Sequence, residues 1–218
     1  PAPGQAYARP MPEPVEPQSF GGPTSSVTPL GIAALLAAGA GSRYIAAGGD
    51  GSHKLLAMAA GRPLWHHALA AVVAAGFERV VVVTGAVPLE LPSGTPSHVE
   101  VCHNPNWAEG QATSLAVAVE AARRHGASHL TVGLADQPGV PSTAWRTAGA
   151  APADCRIVIT RYEGSIGPNP VRLHADVWPH LPTSGDEGAR TLIRLHPEWL
   201  CPVDCPAPAD AALDVDTP

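Results

Sequence analysis

Four consecutive valines, Val80, Val81, Val82 and Val83, constrain the fold of this chain more than any other stretch. A strand that is apolar at every position buries both faces, and such strands belong to parallel sheets covered by helices on either side. The neighbouring segments agree. Residues 63–75 carry Leu64, Ala68, Ala71, Val72 and Ala75 at helical spacing, with Pro63 at the start and Gly76 at the end. Upstream, residues 31–37 read as a short buried apolar strand that runs into a glycine-bearing turn. The opening unit is therefore β-α-β.

That turn, Ala38-Gly39-Ala40-Gly41-Ser42-Arg43, is composed like a phosphate cradle. Glycines let backbone N–H groups point inward and let a ligand come close, and amides at the start of a following helix favour an anion. Arg43 and Lys54 add cations just beyond it. Among 13 lysines and arginines Lys54 is the only lysine. Its ammonium is a compact charge with rotatable donors, suited to following a phosphate, and arginine's flat fork does not replace it. Two commoner glycine motifs fail. A Walker A loop needs Gly-Lys-Ser/Thr, but His53 precedes Lys54 and Leu55 follows it. A dinucleotide fingerprint needs a third glycine where Tyr44 stands and an acid closing the second strand, where Thr84-Gly85 is found.

Further on, Val99–His103 reads as a strand, residues 104–110 as a loop feeding a helix over Gln111–Arg124, and residues 128–134 as a strand ending at Ala135-Asp136-Gln137-Pro138. In open α/β sheets ligands bind beyond the carboxyl ends of strands, where both Asp136 and the Gly39 turn fall. A helix over 142–148, a strand over 156–160, a turn at 164–167 and a strand near 171–173 follow. Asp186 is read as the cap of a helix reaching about Leu195, and residues 213–216 as a short edge strand. Residues 1–28, rich in proline, are read as an extended or disordered tail, and 29–218 as one domain.

A net charge of −6 supplies no basic field for nucleic acid or an anionic membrane, so a polyanion must be met by a local pocket. No apolar run approaches the roughly 20 residues of a membrane span. With no charged-then-apolar leader either, the expectation is a cytoplasmic protein. Four cysteines are too few for a disulfide framework at this length. Cys201 and Cys205, flanked by Pro202 and Pro206, are expected as free thiols in a loop rather than zinc ligands.

A cradle with an aspartate at a neighbouring strand end suits a nucleoside triphosphate with Mg²⁺, which prefers one or two carboxylates plus substrate phosphates. The motifs together resemble the MobA-like nucleotidyltransferases, and within them the molybdenum cofactor cytidylyltransferases. Residues 36–43 followed by Lys54-Leu55-Leu56 resemble the nucleotide signature, and residues 104–115 a second motif. Leu134-Ala135-Asp136-Gln137-Pro138 is similar to the metal-binding segment, and 185–190 and 214–218 to the last two motifs.

The resemblance implies an α/β, Rossmann-like three-layer α/β/α nucleotidyltransferase fold with a mostly parallel central sheet. It implies CMP transfer from CTP to the phosphate of molybdopterin with release of pyrophosphate, and a molybdoenzyme or its maturation factors as partners. By the same carry-over Arg43, Lys54 and Asp136 are catalytic. Leu36, Ala37, Ala38, Gly39, Ala40, Gly41, Ser42, Arg43, Lys54, Thr84, Glu109, Gly110, Gln111 and Ser114 surround the nucleotide, with Ala38 favouring cytosine. Asp136 holds Mg²⁺, with Asp214, Asp216 or Asp186 as a second ligand. Arg43 and Lys54 stand eleven positions apart, so 45–53 reads as an insertion that must loop out. Residues 167–171 resemble a substrate-side Gly-Asn-Pro-Val segment interrupted by Pro168. Two alternatives stay open: transfer from GTP or another NTP to a phospholactate-type or sugar-phosphate acceptor, and a non-catalytic molybdenum cofactor carrier or insertion chaperone.

Overall fold

The computed structural model describes residues 31–41, 44, 53–163, 165–208, 211 and 213. Two adjacent strands of its sheet are those read first from the sequence. Strand β1 (Ile32–Ala37) lies parallel to β4 (Arg79–Thr84), and every one of Val80 to Val83 is fully buried. The valines alternate between two cores because side chains on a strand alternate between faces. Val80 and Val82 pack with Trp65, Leu69 and Val72 of helix α1 (Leu64–Ala74) and with Trp145 of α3 (Ser142–Gly149). Val81 and Val83 pack with Leu115, Ala118 and Ala122 of α2 (Gln111–Arg124) and with Leu192 of α4 (Arg190–Leu195). The result is a three-layer α/β/α arrangement.

The sheet has seven strands in the order β5, β4, β1, β6, β8, β7, β9. These add β5 (Val99–His103), β6 (His129–Leu134), β7 (Ile157–Tyr162), β8 (Ser165–His174) and β9 (Leu200–Cys205). All pairings are parallel except those of β8, which runs antiparallel to β6 and β7. The chain runs from β1 to β4 and β5 on one side and then crosses to β6 on the other. That reversal opens a crevice between the carboxyl ends of β1 and β6. Gly133, inside β6, makes room for α3: a Cβ there would lie 2.6 Å from the Trp145 ring.

The structure corrects several expectations. Met58–Ala59 (β2) and Arg62–Pro63 (β3) form a hairpin before α1. β8 begins at Ser165 rather than near 171. The stretch around Cys201, expected as a loop, is strand β9. It lies at the sheet edge and pairs only with β7, a setting that tolerates a proline such as Pro202. Cys201 is not a free thiol but is disulfide-bonded to Cys155, 46 positions earlier, while Cys205 is free and buried. Parallel pairing sets Val158 opposite Cys201, which brings the residues entering β7 alongside. Helix α4 starts at Arg190 with Ala189 as its cap position, and Asp186 does not cap it. Of the expected strand at 213–216 only Leu213 is described, and it is exposed chain outside any strand. The proline-rich stretch lies outside the described residues.

Candidate active site

A cleft of about 430 Å³ lies over the crevice between β1 and β6, within the range of small-ligand sites. Its floor comes from the carboxyl end of β1 and the turn after it, where Leu36, Ala37, Ala38, Gly39, Ala40 and Gly41 line the wall. Two glycines allow this turn its close neighbours. A Cβ on Gly85 would stand 2.8 Å from the Ala38 carbonyl oxygen and 2.6 Å from Trp107 Cβ. Gly41, at φ +65°, lies so close to Lys54 that a Cβ would sit 2.9 Å from the lysine Cβ. The turn therefore passes over the lysine stem.

The Lys54 Nζ donates to Asp136 Oδ2 at 2.8 Å across 82 positions of sequence. The lysine side chain is 7% exposed and that of Asp136 26%. His53 holds the arrangement from below. Its Nδ1 accepts from the Leu55 amide at 3.3 Å, which leaves Nε2 as the donor to the Gly39 carbonyl at 2.7 Å. One imidazole thus ties the glycine turn to the short 3₁₀ segment Lys54–Leu56. The sequence reading did not single out His53, and its one signal is a side chain able to cap the turn that opens with the lone lysine.

The opposite wall is built on the start of α2. Asn104, 1% exposed, donates to the hydroxyls of Thr113 and Ser114 at 2.9 Å and accepts from the Asn106 amide at 3.0 Å. Thr113 in turn donates to the Gly110 carbonyl at 2.9 Å. This network orients Gly110, Gln111 and Ser114 along the cleft. The loop at 184–188 docks here, with the Gly185 amide donating to the Glu109 carbonyl at 2.9 Å and the Ala112 amide to the Gly185 carbonyl at 3.0 Å. Asp186 and Arg190 thereby reach the cleft lining. Trp107 sits against Gly85 and also lines the cleft.

Two expected nucleotide neighbours stand apart from this wall. Thr84 is buried at the end of β4, its carbonyl taken by the Asn104 amide at 2.8 Å. Glu109 is exposed, and only its backbone takes part, through Gly185. Both follow from where the second motif folds: Asn104 and the docked loop claim these backbone positions. Ser42, Arg43, Asp214 and Asp216 lie outside the described residues.

Behind Asp136, Gln137 is 1% exposed and its Oε1 accepts from Asn169 Nδ2 at 2.9 Å. The Asn169 carbonyl accepts from Thr160 Oγ1 at 2.9 Å and from the Tyr162 hydroxyl at 2.7 Å. Burial pushes the Tyr162 hydroxyl up to about 12, so it stays a donor at neutral pH. Asn169 also lines a recess of about 40 Å³ that shares Leu36, Gln111 and Arg190 with the main cleft.

Among the described residues no group of three or more His, Cys, Asp or Glu side chains is placed to hold a metal ion. The only carboxylates among the described lining of the cleft are those of Asp136 and Asp186, a donor set that fits Mg²⁺ or Mn²⁺, which complete their shells with substrate oxygens and water, and does not fit zinc.

The family model for the MobA-like NTP transferase domain matches residues 33–200. No curated protein sequence matches the chain. Among solved structures, a nucleotidyl transferase from Methanothermobacter thermautotroptrophicus is 24% identical at a TM-score of 0.70, covering 86% of this chain and 92% of its own. Rv0371c from Mycobacterium tuberculosis H37Rv is 24% identical at a TM-score of 0.64, covering 86% and 93%. A manganese complex of Rv0371c superimposes at a TM-score of 0.56 and 18% identity over 85% and 95%. These likenesses bear on the fold.

Proposed function

The chain belongs to the MobA-like NTP transferase domain family, and from that premise we propose that it transfers CMP from CTP to the phosphate of molybdopterin, with Mg²⁺ and release of pyrophosphate. The observation that carries the reading is the convergence of Lys54 and Asp136 beneath the glycine turn, in a cleft of nucleotide size.

The backbone N–H groups of the turn and the Lys54 ammonium face the triphosphate and offset its charge. Asp136 would hold the metal, which would supply positive charge to offset that of the triphosphate. An acceptor phosphate oxygen attacks the α-phosphorus as the bond from that phosphorus to the bridging β-phosphate oxygen breaks, and pyrophosphate leaves with the bonding pair. No general base is needed, because a phosphate monoester with a second pKa of about 6 is largely ionised at neutral pH. Arg190, on the shared edge of cleft and recess, grips the acceptor phosphate. The Gln137 and Asn169 amides hold the strand ends beneath it. Ser42 and Arg43 on the triphosphate side, and Asp214 or Asp216 as a second metal ligand, belong to the same proposal, as does a cytoplasmic site of action serving a molybdoenzyme or its maturation factors. Among the described residues no helix is long and apolar enough to cross a membrane.

The test is pyrophosphate release with CTP, GTP, ATP and UTP, each with Mg²⁺ and with molybdopterin, a phospholactate or a sugar phosphate as acceptor. Release with CTP well above the others supports the reading. Preference for GTP, or turnover only with a phospholactate or sugar-phosphate acceptor, replaces the substrates while keeping nucleotidyl transfer. Binding with no pyrophosphate from any pair points to a carrier.

A further inference from the structure

The carboxylate assigned to the metal is already held by a cation of the chain itself. Asp136 Oδ2 accepts from Lys54 Nζ at 2.8 Å, and the lysine is so enclosed that solvent screens it little. A dication on the same carboxylate would stand a few ångströms from that ammonium, and like charges at such range oppose each other strongly. A triphosphate at the turn would offer the lysine a second anion. Gly41 sits over its Cβ, so phosphates bound at the turn lie within the swing of a four-carbon side chain. The backbone need not move, since the His53 ring ties residues 39 and 55 together.

We propose that Lys54 is an internal competitor of the metal at Asp136, and that the triphosphate admits the metal by drawing the ammonium off the carboxylate. Metal and triphosphate binding are then coupled through this residue, each tightening the other by the same factor. The inference rests on the assignment of Asp136 as the metal carboxylate and goes beyond it by linking the occupancy of the metal site to that of the triphosphate site.

Free Mn²⁺, read by its electron paramagnetic resonance signal against nucleotide-free protein, tests it without turnover. Lys54→Met keeps the apolar stem and removes the charge. Its Mn²⁺ affinity should exceed that of the wild type by about tenfold, an ordinary coupling between sites, and the double variant Lys54→Met, Asp136→Asn should lose the gain. Lys54→Met binding Mn²⁺ no more tightly, or a gain that survives in the double variant, overturns the proposal. A second measurement needs no variant. Lys54 is the only lysine, so protein labelled with lysine carrying ¹³C at Cε shows one lysine side-chain resonance. It should move when Mg²⁺ and a non-hydrolysable CTP analogue saturate the protein, and a resonance that stays in place also overturns the proposal. Failure here leaves nucleotidyl transfer standing, whereas absence of pyrophosphate release fails that reading without bearing on the Mn²⁺ result.

Discussion

Gly110 and Gly185 touch backbone to backbone: a Cβ added to Gly110 would lie 2.4 Å from the Gly185 carbonyl carbon and 2.8 Å from Asp186 Oδ1. This contact seats the 184–188 loop on the start of α2 and carries Asp186 and Arg190 into the cleft. Gly110 also holds φ +105°, which a side chain rarely tolerates. Gly110→Ala should therefore lose about 1–3 kcal/mol of stability and most of its turnover. Thermal melting together with pyrophosphate release checks this, and a variant with wild-type melting and rate would show that the loop is free to reseat.

If Lys54 serves the triphosphate as proposed, Lys54→Ala removes one charged donor from it. Turnover should fall about 10²–10³-fold with the far-UV circular dichroism unchanged. Near-normal turnover in a folded variant would take Lys54 out of the site.

Arg190 stands where the cleft meets the recess, which neither Lys54 nor Asp136 lines. If it grips the acceptor phosphate, Arg190→Ala should raise KM for the acceptor about 10–100-fold, as expected for one hydrogen bond to a charged group, and leave KM for the nucleotide nearly constant. A rise confined to the nucleotide would move Arg190 to the triphosphate.

Glu187 anchors α4 to the loop. It accepts from Arg194, and from Thr191 Oγ1 at 2.5 Å, and these bonds, that from Arg194 foremost, hold its carboxyl down at about 2 from an ordinary 4.5. A depressed folded-state pKa contributes stability above the unfolded value, which is lost as pH falls toward the folded one. The melting temperature of the wild type should exceed that of Glu187→Gln at pH 6, and the gap should narrow steadily below pH 4.5. A gap that holds constant from pH 6 to pH 3 would show that the carboxylate charge contributes nothing.

Much of this architecture was legible in near-neighbour pattern. The valine run announced a doubly covered strand, and the spacing of apolar residues from Leu64 to Ala75 announced a helix close to its observed limits. The glycine turn and the end of β6 marked the rim where the cleft lies. What was misread depends on partners distant in sequence. Prolines 202 and 206 suggested a loop because the pattern does not say that β9 is an edge strand. Asp186 looked like a helix cap because capping is the local explanation, whereas its position comes from docking against Gly110. Cys155 and Cys201 meet only once β7 and β9 have paired.

Sequence alone determined the α/β class, the glycine-bearing turn after the first strand and the identity of the lone ammonium and the strand-end carboxylate, because periodicity, glycine content and charge are local properties of a chain. Tertiary structure alone decided that Lys54 meets Asp136, that His53 fastens the turn, and that Arg190 faces the recess. Those facts are contacts between segments up to 82 positions apart, and their distances exist only after the sheet has assembled and buried its two cores.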